Sequence, residues 1–345
     1  TGQGIYGQLG DGAQEDRGTA RPVPGLTGVL AIAAGGYHSL FLKTDGTVWA
    51  AGLNDVGQLG DGTTTARSVP VRVLEGVKAV AAESGSSFFL KADGTVMATG
   101  HNLSGQLGDG TTVDRQTPVA VEGLINVKSI APGRNHTLFL TVDGTVFATG
   151  SNDFGALADT SFVSRTSPVR VRDGVRAIAA GIQLSFILGT DGILTGAGLN
   201  NVGQLGDGTT TDRPAPVGLM TGVESVATGL SHTCFLKADG TVWTTGSNFN
   251  GQLGDGRTGF STRPVPIPGL TGVRTVTAEG NHSLFLQSDG TVLGTGFNLY
   301  GELGDGSGIM RYSPVLCAIS GVRSVAIGGG GSLFIKTDGS VHASG

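Results

Sequence analysis

Tyr6-Gly-Gln-Leu-Gly-Asp-Gly12 decides the fold, because it returns along the whole chain. It comes back as VGQLGDG at 56, SGQLGDG at 104, VGQLGDG at 202, NGQLGDG at 250 and YGELGDG at 300, with a degraded copy, FGALADT, at 154. The leading glycines stand at 7, 57, 105, 155, 203, 251 and 301, so the steps are 50, 48, 50, 48, 48 and 50 residues. A second marker, Asp-Gly, recurs at 45, 93, 143, 191, 239, 289 and 338. Two independent markers, each present seven times at one period, identify a repeat architecture.

Working outward from the second copy, each unit reads as four short strands. Val77-Lys-Ala-Val-Ala-Ala82 is a strand of small residues. Ser87-Phe-Phe-Leu-Lys91 is apolar on both faces, as a strand between two neighbours must be. Ala92-Asp-Gly94 is a tight-turn signal, and Thr95-Val-Met-Ala-Thr99 is the third strand. A Gly-rich connection from Gly100 to Gln116 leads to Pro118-Val-Ala-Val121, where proline suits an edge strand. Four strands per 48–50 residues, seven times over, predict an all-β fold: a seven-bladed β-propeller of four-stranded antiparallel blades. A parallel β-helix is the rival, but its coils are usually shorter.

The blades are expected at about 29–73, 77–121, 127–171, 175–217, 223–267, 273–317 and 322–345 plus 19–24, making 1–345 a single domain. Thr1-Gly2 and Ser344-Gly345 occupy the repeat phase of Ala51-Gly52, and the last unit has three strands. Arg21-Pro-Val-Pro24 is an orphan edge strand at the other end. The expectation is that this N-terminal strand completes the last blade and closes the ring.

Composition agrees. The 345 residues include 62 glycines with few charges, and no sustained 3.6-residue apolar pattern, so essentially no helix is expected. A net charge of −5 without a basic stripe argues against nucleic acid as a partner. No apolar run approaches the length of a membrane-spanning helix, and the first residues carry no signal-peptide pattern. Cys234 and Cys317 fall at different phases of the repeat, so no disulfide between them is expected.

The shared unit V-x-x-V-A-A-G-x-x-H-S-L-F-L-K-x-D-G-T-V-W-A-x-G-x-N-x-x-G-Q-L-G-D-G resembles the regulator-of-chromosome-condensation repeat family over the whole chain. The resemblance implies a seven-bladed propeller, in agreement with the count, and says little about function, because the fold hosts unrelated roles. Relatives include a nucleotide-exchange factor for the small GTPase Ran, a plant ultraviolet photoreceptor and protein inhibitors of β-lactamases. Guanine-nucleotide exchange is disfavoured here because no unit exceeds about 50 residues, which leaves no room for an inserted wedge. The photoreceptor chemistry needs a tryptophan cluster, and this chain has only Trp49 and Trp243, four blades apart. The G-D-G-T-T-T-x-R phrasing is most similar to bacterial members, with a cell-surface or secreted setting slightly favoured.

Several groups suggest chemistry and read better as framework. Gly2-x-Gly4-x-x-Gly7 matches a dinucleotide fingerprint but lacks the βαβ context that gives it meaning. His38, His136, His232 and His282 share one phase, yet the other blades have Ser86, Leu184 and Gly331 there, and no carboxylate or cysteine stands at ligand spacing. Structural histidines are the expectation. The Gly-Asp-Gly segments do not follow a calcium loop, and the Arg after each heptapeptide (17, 67, 115, 165, 213, 263 and 311) is expected to pair with its aspartate. No nucleophile-and-base set stands apart from the repeat, so no enzyme activity, metal or cofactor is expected.

In a ring with a fixed framework, function belongs to positions that vary between blades. The slot before each heptapeptide glycine reads Tyr6, Val56, Ser104, Phe154, Val202, Asn250 and Tyr300. With Phe249, Phe297 and the shorter-loop residues Tyr37 and Arg134, it gives candidate binding residues Tyr6, Tyr37, Arg134, Phe154, Phe249, Phe297 and Tyr300 on the loop face. Aromatics and arginine dominate interface energetics, so the expected role is a non-catalytic protein-binding scaffold, a monomeric ring. A carbohydrate-binding module using the same aromatics is the alternative. Val56 and Val202 argue that part of this column packs between blades instead.

Overall fold

The computed structural model describes residues 4–16, 23–328, 331–338 and 340–344. All of its regular structure is β, arranged as a seven-bladed propeller with six four-stranded antiparallel blades and one blade of three strands. Blade 2 shows the pattern, with strands Val77–Glu83, Ser86–Lys91, Val96–Gly100 and Arg115–Ala120 paired in chain order. The fourth strand starts earlier than Pro118 because Gly100 pairs with Arg115 before a register shift brings Ala98 opposite Val119. Thr99 ties that irregular corner by donating its hydroxyl to the Arg115 carbonyl at 2.6 Å.

The second strands explain why the blades stack. Phe88 packs toward blade 3 while its neighbour Phe89 packs into the core shared with blade 1. Successive strand residues face opposite sides, so one strand supplies both junctions. Phe88 meets Phe139 edge-to-face at 6.2 Å, and Phe186 meets Phe235 likewise at 5.6 Å. Each such buried ring contributes about 1.5–3 kcal/mol relative to exposure. Apolar clusters of this kind join blades 1 to 2 and onward to 7.

The heptapeptide loops are the second fastener. Gly57 has φ +83° and lies so close to the next blade that a Cβ would stand 2.5 Å from Gln116 Cα. Its loop is held from both sides: Ser87 donates to the Gln58 carbonyl at 2.7 Å, and Gly62 N donates to the Gln116 carbonyl at 2.9 Å. Residues 4–16 repeat this on blade 1, where Ser39 donates to the Gln8 carbonyl at 2.8 Å and Gly12 N to the Ser68 carbonyl at 2.9 Å.

The last blade has three strands among the described residues: Val322–Gly328, Gly331–Lys336 and Val341–Ser344. The closing strand expected at 19–24 lies largely outside the described residues. Val23 and Pro24 are described and carry no strand. Val23 does stand 3.3 Å from where a Cβ on Gly10 would be, as Val73 stands 3.0 Å from that of Gly60 fifty residues on. A cavity of about 300 Å³ beside the last strand is bounded by Gly304, Ile319, Phe334 and Ser344.

Candidate functional site

The loop face is built on a polar frame repeated from blade to blade. Buried Asn54 donates from its amide to Asp61 Oδ1 and to the Thr63 carbonyl, both at 3.0 Å, while its Oδ1 accepts from Leu59 N at 3.0 Å. Asp61 also accepts from the Thr63 hydroxyl at 2.7 Å and from Arg67 Nε at 2.7 Å. Burial opposes ionisation of Asp61, but the Thr63 hydroxyl and Arg67 outweigh it and hold the carboxyl below its ordinary value. The same frame recurs at Asp109, Asp159, Asp207 and Asp305, each paired with its arginine. Blade 5 departs from the expected pattern. Arg263 lies against Gly208 of the preceding blade rather than on Asp255, whose Oδ1 accepts from the Asn248 amide and from Arg257 N. Arg17 lies outside the described residues.

The four histidines form junctions between blades. His38 Nε2 lies 2.8 Å from Ser87 Oγ, and equivalent bonds join His136 to Ser185, His232 to Ser283 and His282 to Ser332. The Ser87 hydroxyl proton is already committed to the Gln58 carbonyl, so Ser87 Oγ accepts and His38 Nε2 carries the proton. Burial pulls these imidazoles down to about 4, and His232 to about 3. They are neutral groups whose Nε2 is spent on the framework, while the buried Nδ1 of His38 and of His232 has no hydrogen-bond partner among the described residues. The thiols of Cys234 and Cys317 are buried and unpaired, and burial pushes both up to about 12.

Against this frame the varying positions separate cleanly. Phe249 is 64% exposed, Leu299 53% and Tyr300 77%. Ile5 is exposed on the N-terminal loop, and Tyr37 is exposed on blade 1. Tyr6 is half-buried, with its ring edge-on to Tyr37 at 5.2 Å, and Phe297 is half-buried against Tyr300 at 6.0 Å. Two groups result, an arc in blade order: Phe249, Phe297, Leu299 and Tyr300 on the loops of blades 5 and 6, and Tyr6 with Tyr37 where the N-terminal loop docks on blade 1. Phe154 is half-buried on blade 3, away from the arc. Arg134 is exposed and faces the ring axis instead.

The more exposed column is the slot one residue earlier, after the buried Asn: Ile5, Asp55, Leu103, Asp153, Asn201, Phe249 and Leu299 are all exposed. The slot before the glycine is half-buried everywhere but at Tyr300, and Val56 packs 3.4 Å from the position of a Cβ on Gly85 of blade 2. The cause is local. A bond from Val56 N to Gln58 Oε1 folds that residue inward and leaves its predecessor facing solvent.

Sequence reasoning also passed over the axis. A cavity of about 480 Å³ lies between the first-strand ends of blades 2 to 6, and its charged lining is Glu83, Arg134 and Glu279. The corresponding slot is glycine at 35, 133, 181, 229 and 328 and glutamate only at 83 and 279, a break in the repeat that was there to be read.

The profile of the RCC1-like domain matches residues 1–336. Human E3 ubiquitin-protein ligase HERC2 is 46% identical over 71 residues, which is 20% of this chain and 2% of that protein. The Drosophila melanogaster regulator of chromosome condensation is 41% identical over 64 residues, 18% of this chain and 12% of that protein. The chain thus matches only a small part of the length of these curated relatives. Yeast RCC1 (Prp20), solved with Kap60, superposes with a TM-score of 0.84 at 24% identity, over 99% of this chain and 87% of that one. Prp20p from Saccharomyces cerevisiae, in a study of its binding to Gsp1p and histones, gives 0.83 at 25% identity, over 99% and 90%. Human WBSCR16 gives 0.79 at 25% identity, over 92% and 86%.

Proposed function

Since the chain belongs to the RCC1-like domain family, we propose that it is a non-catalytic ring that holds another protein against its loop face. The observation that carries this reading is the lopsided arc. Phe249, Leu299, Tyr300, Ile5 and Tyr37 are exposed on blades 5, 6 and 1 and the N-terminal loop, and they include the chain's exposed tyrosines except Tyr312. The slot after the loop asparagine is instead Asp55, Asp153 and Asn201 on blades 1, 3 and 4, and the exposed apolar loop residues Leu103 on blade 2 and Phe162 on blade 3 stand apart from the arc. Exposed aromatic and aliphatic side chains gathered at one place mark interaction surfaces, whereas single ones do not. The relatives support the class of partner: the yeast protein was solved with Kap60 and studied for binding to Gsp1p and histones, all proteins. Each of the four imidazoles gives its Nε2, and the loop aspartates their carboxylates, to bonds that hold blades and loops.

The test compares the wild-type ring with a Phe249→Ala, Leu299→Ala, Tyr300→Ala variant. These side chains are exposed, so the melting temperature should stay within a few degrees. Proteins enriched from a lysate on the wild-type ring should be lost from the variant by quantitative mass spectrometry, and a glycan array should stay blank for both. A variant that retains every wild-type partner, or an array on which the wild-type ring binds and the variant does not, overturns the reading; the second result would favour the carbohydrate alternative.

A further inference from the structure

The two glutamates that break the repeat meet at the axis. In blades 1, 3 and 5 the slot is glycine and closely packed: a Cβ at 35, 133 or 229 would stand 2.1–2.4 Å from the ring of His38, His136 or His232, whereas blade 6 accommodates Glu279 beside His282. Blade 2 has Ser86 in place of the histidine and carries Glu83, while blade 6 carries Glu279. Both side chains line the axial cavity, whose remaining wall is mostly Ala, Gly, Val and Thr backbone and methyl groups such as Ala179, Ala180 and Val226.

The charges there are unbalanced. Glu83 accepts from the Ser84 hydroxyl at 3.4 Å and feels the positive charge of Arg134. The Glu279 carboxyl has no hydrogen bond or ion pair among the described residues. Burial pushes both carboxyls up, and the neighbouring charge of Glu83 helps carry Glu279 to about 8. The charged groups facing the cavity are Glu83, Arg134 and Glu279, and the nearby imidazoles are neutral. A desolvated carboxylate facing another across a void is relieved most directly by a cation that enters the void.

The shape says which cation. No group of three His, Cys, Asp or Glu suited to a metal ion occurs among the described residues. A hard metal ion wants several oxygen ligands closely spaced, which two carboxylates in an opening of about 480 Å³ do not supply. A guanidinium or ammonium on an aliphatic stem fits better: the methyl-lined wall takes the stem, and the carboxylates take the head. Two exposed apolar side chains border the cavity. Gly36 N, beside Tyr37, donates to the Ser84 carbonyl at 2.9 Å, and exposed Leu230 is bonded through its N–H to the Gly280 carbonyl at 2.8 Å. Tyr37 and Leu230 therefore stand at the rim of the cavity.

We propose that the axial cavity is a socket for a single arginine or lysine side chain presented by the protein that docks on the arc, an inference that rests on the protein-binding reading of that face. Arg134 compensates Glu83, so the incoming head group sits at Glu279. Entry requires Glu279 to ionise, so each binding event releases a proton below pH 8.

Nα-acetyl-arginine amide is the probe, titrated into the full ring and followed by NMR from pH 6 to pH 9, with Nα-acetyl-norleucine amide as the control. The arginine probe should bind at the residues lining the cavity and tighten more than tenfold over that range, while the norleucine probe should not bind. Glu279→Gln, which keeps shape and loses charge, should remain folded, abolish probe binding and weaken the captured partner. Absence of probe binding at pH 9, pH-independent binding, or undiminished binding to Glu279→Gln each overturns the socket. The two readings fail separately. Loss of the socket leaves the partner's dependence on Phe249, Leu299 and Tyr300 intact, whereas a partner indifferent to those three leaves the probe titration unchanged.

Discussion

The buried histidines make the ring sensitive to mild acid, and one substitution isolates the effect. The His136 imidazole is held near 4 by burial, against an ordinary value of 6.5 in the unfolded chain. Below pH 6.5 the unfolded state takes up a proton that the folded state refuses, so stability falls as pH falls toward 4. From pH 7.5 to 5.5 each such imidazole costs about 1.4 kcal/mol, since one pKa unit is worth about 1.4 kcal/mol. Four together cost about 5 kcal/mol, a large share of an ordinary folding free energy. Glu279 works in the opposite direction. Its folded value of about 8 exceeds its unfolded 4.5, so it adds about 2 kcal/mol of stability over the same descent. The loop aspartates, whose values are lowered in the fold, lose their contribution only below about 4 and stay outside this window. Wild-type slopes therefore mix signs, and the difference between two proteins is the clean quantity. His136→Gln replaces the Nε2–H donor to Ser185 with a non-titrating amide of similar reach. Urea unfolding at pH 7.5, 6.5 and 5.5 should show the variant losing about 1.4 kcal/mol less than wild type. Equal slopes would refute the reasoning, because they would mean that the folded ring already accommodates a charged imidazole.

Three further outcomes follow from the loops and the seam. Gly57→Ala should cost at least ~3 kcal/mol, because a Cβ there meets the Gln116 backbone at 2.5 Å, whereas Gly123→Ala, at φ +64° with nothing within 4 Å, should cost about 1 kcal/mol by chemical denaturation. The degraded heptapeptide keeps Ala158 at φ +59° and Thr160 at φ +67° where the other copies have glycine, so Ala158→Gly and Thr160→Gly should each stabilise the ring by about 0.5–1 kcal/mol. Deleting residues 1–26 should lower the melting temperature by ~10 °C or more, since it removes a loop docked on blade 1 and the residues proposed to complete the last blade; a change of a degree or two would count against closure by that segment.

The architecture was legible because two markers share one period, and because Phe88-Phe89 announces a strand with neighbours on both sides. Strand edges were less so: the fourth strand begins at Arg115 through a register irregularity that depends on the Thr99 hydroxyl, a tertiary contact no local pattern encodes. The aromatic column was read one residue off. Val56 and Asp55 look equally exposed in a sequence, and only the Val56 N to Gln58 Oε1 bond decides which faces water. Arg263 shows the same limit, because Phe260 begins the fourth strand in that blade and carries the arginine past Asp255.

The axial glutamates carry a different lesson about repeats. A ring in which asparagine, aspartate and histidine are tied to fixed partners can tolerate a new charge only where its framework leaves space. At the axis that space exists in blade 2, where Ser86 replaces the imidazole that would crowd a Cβ in blades 1, 3 and 5, and in blade 6, where Glu279 and His282 stand in the same two slots together. A carboxyl placed there forfeits water and, at Glu279, gains no partner within the described chain. Such a residue lowers the stability of the free ring at alkaline pH, where it must carry charge in a poorly solvated place. Glu279→Gln should therefore raise the melting temperature at pH 9 and leave it nearly unchanged at pH 5.5, where the wild-type carboxyl is already neutral. A position that weakens the isolated protein in this way is explained by what enters the cavity, and not by what the blades need from each other.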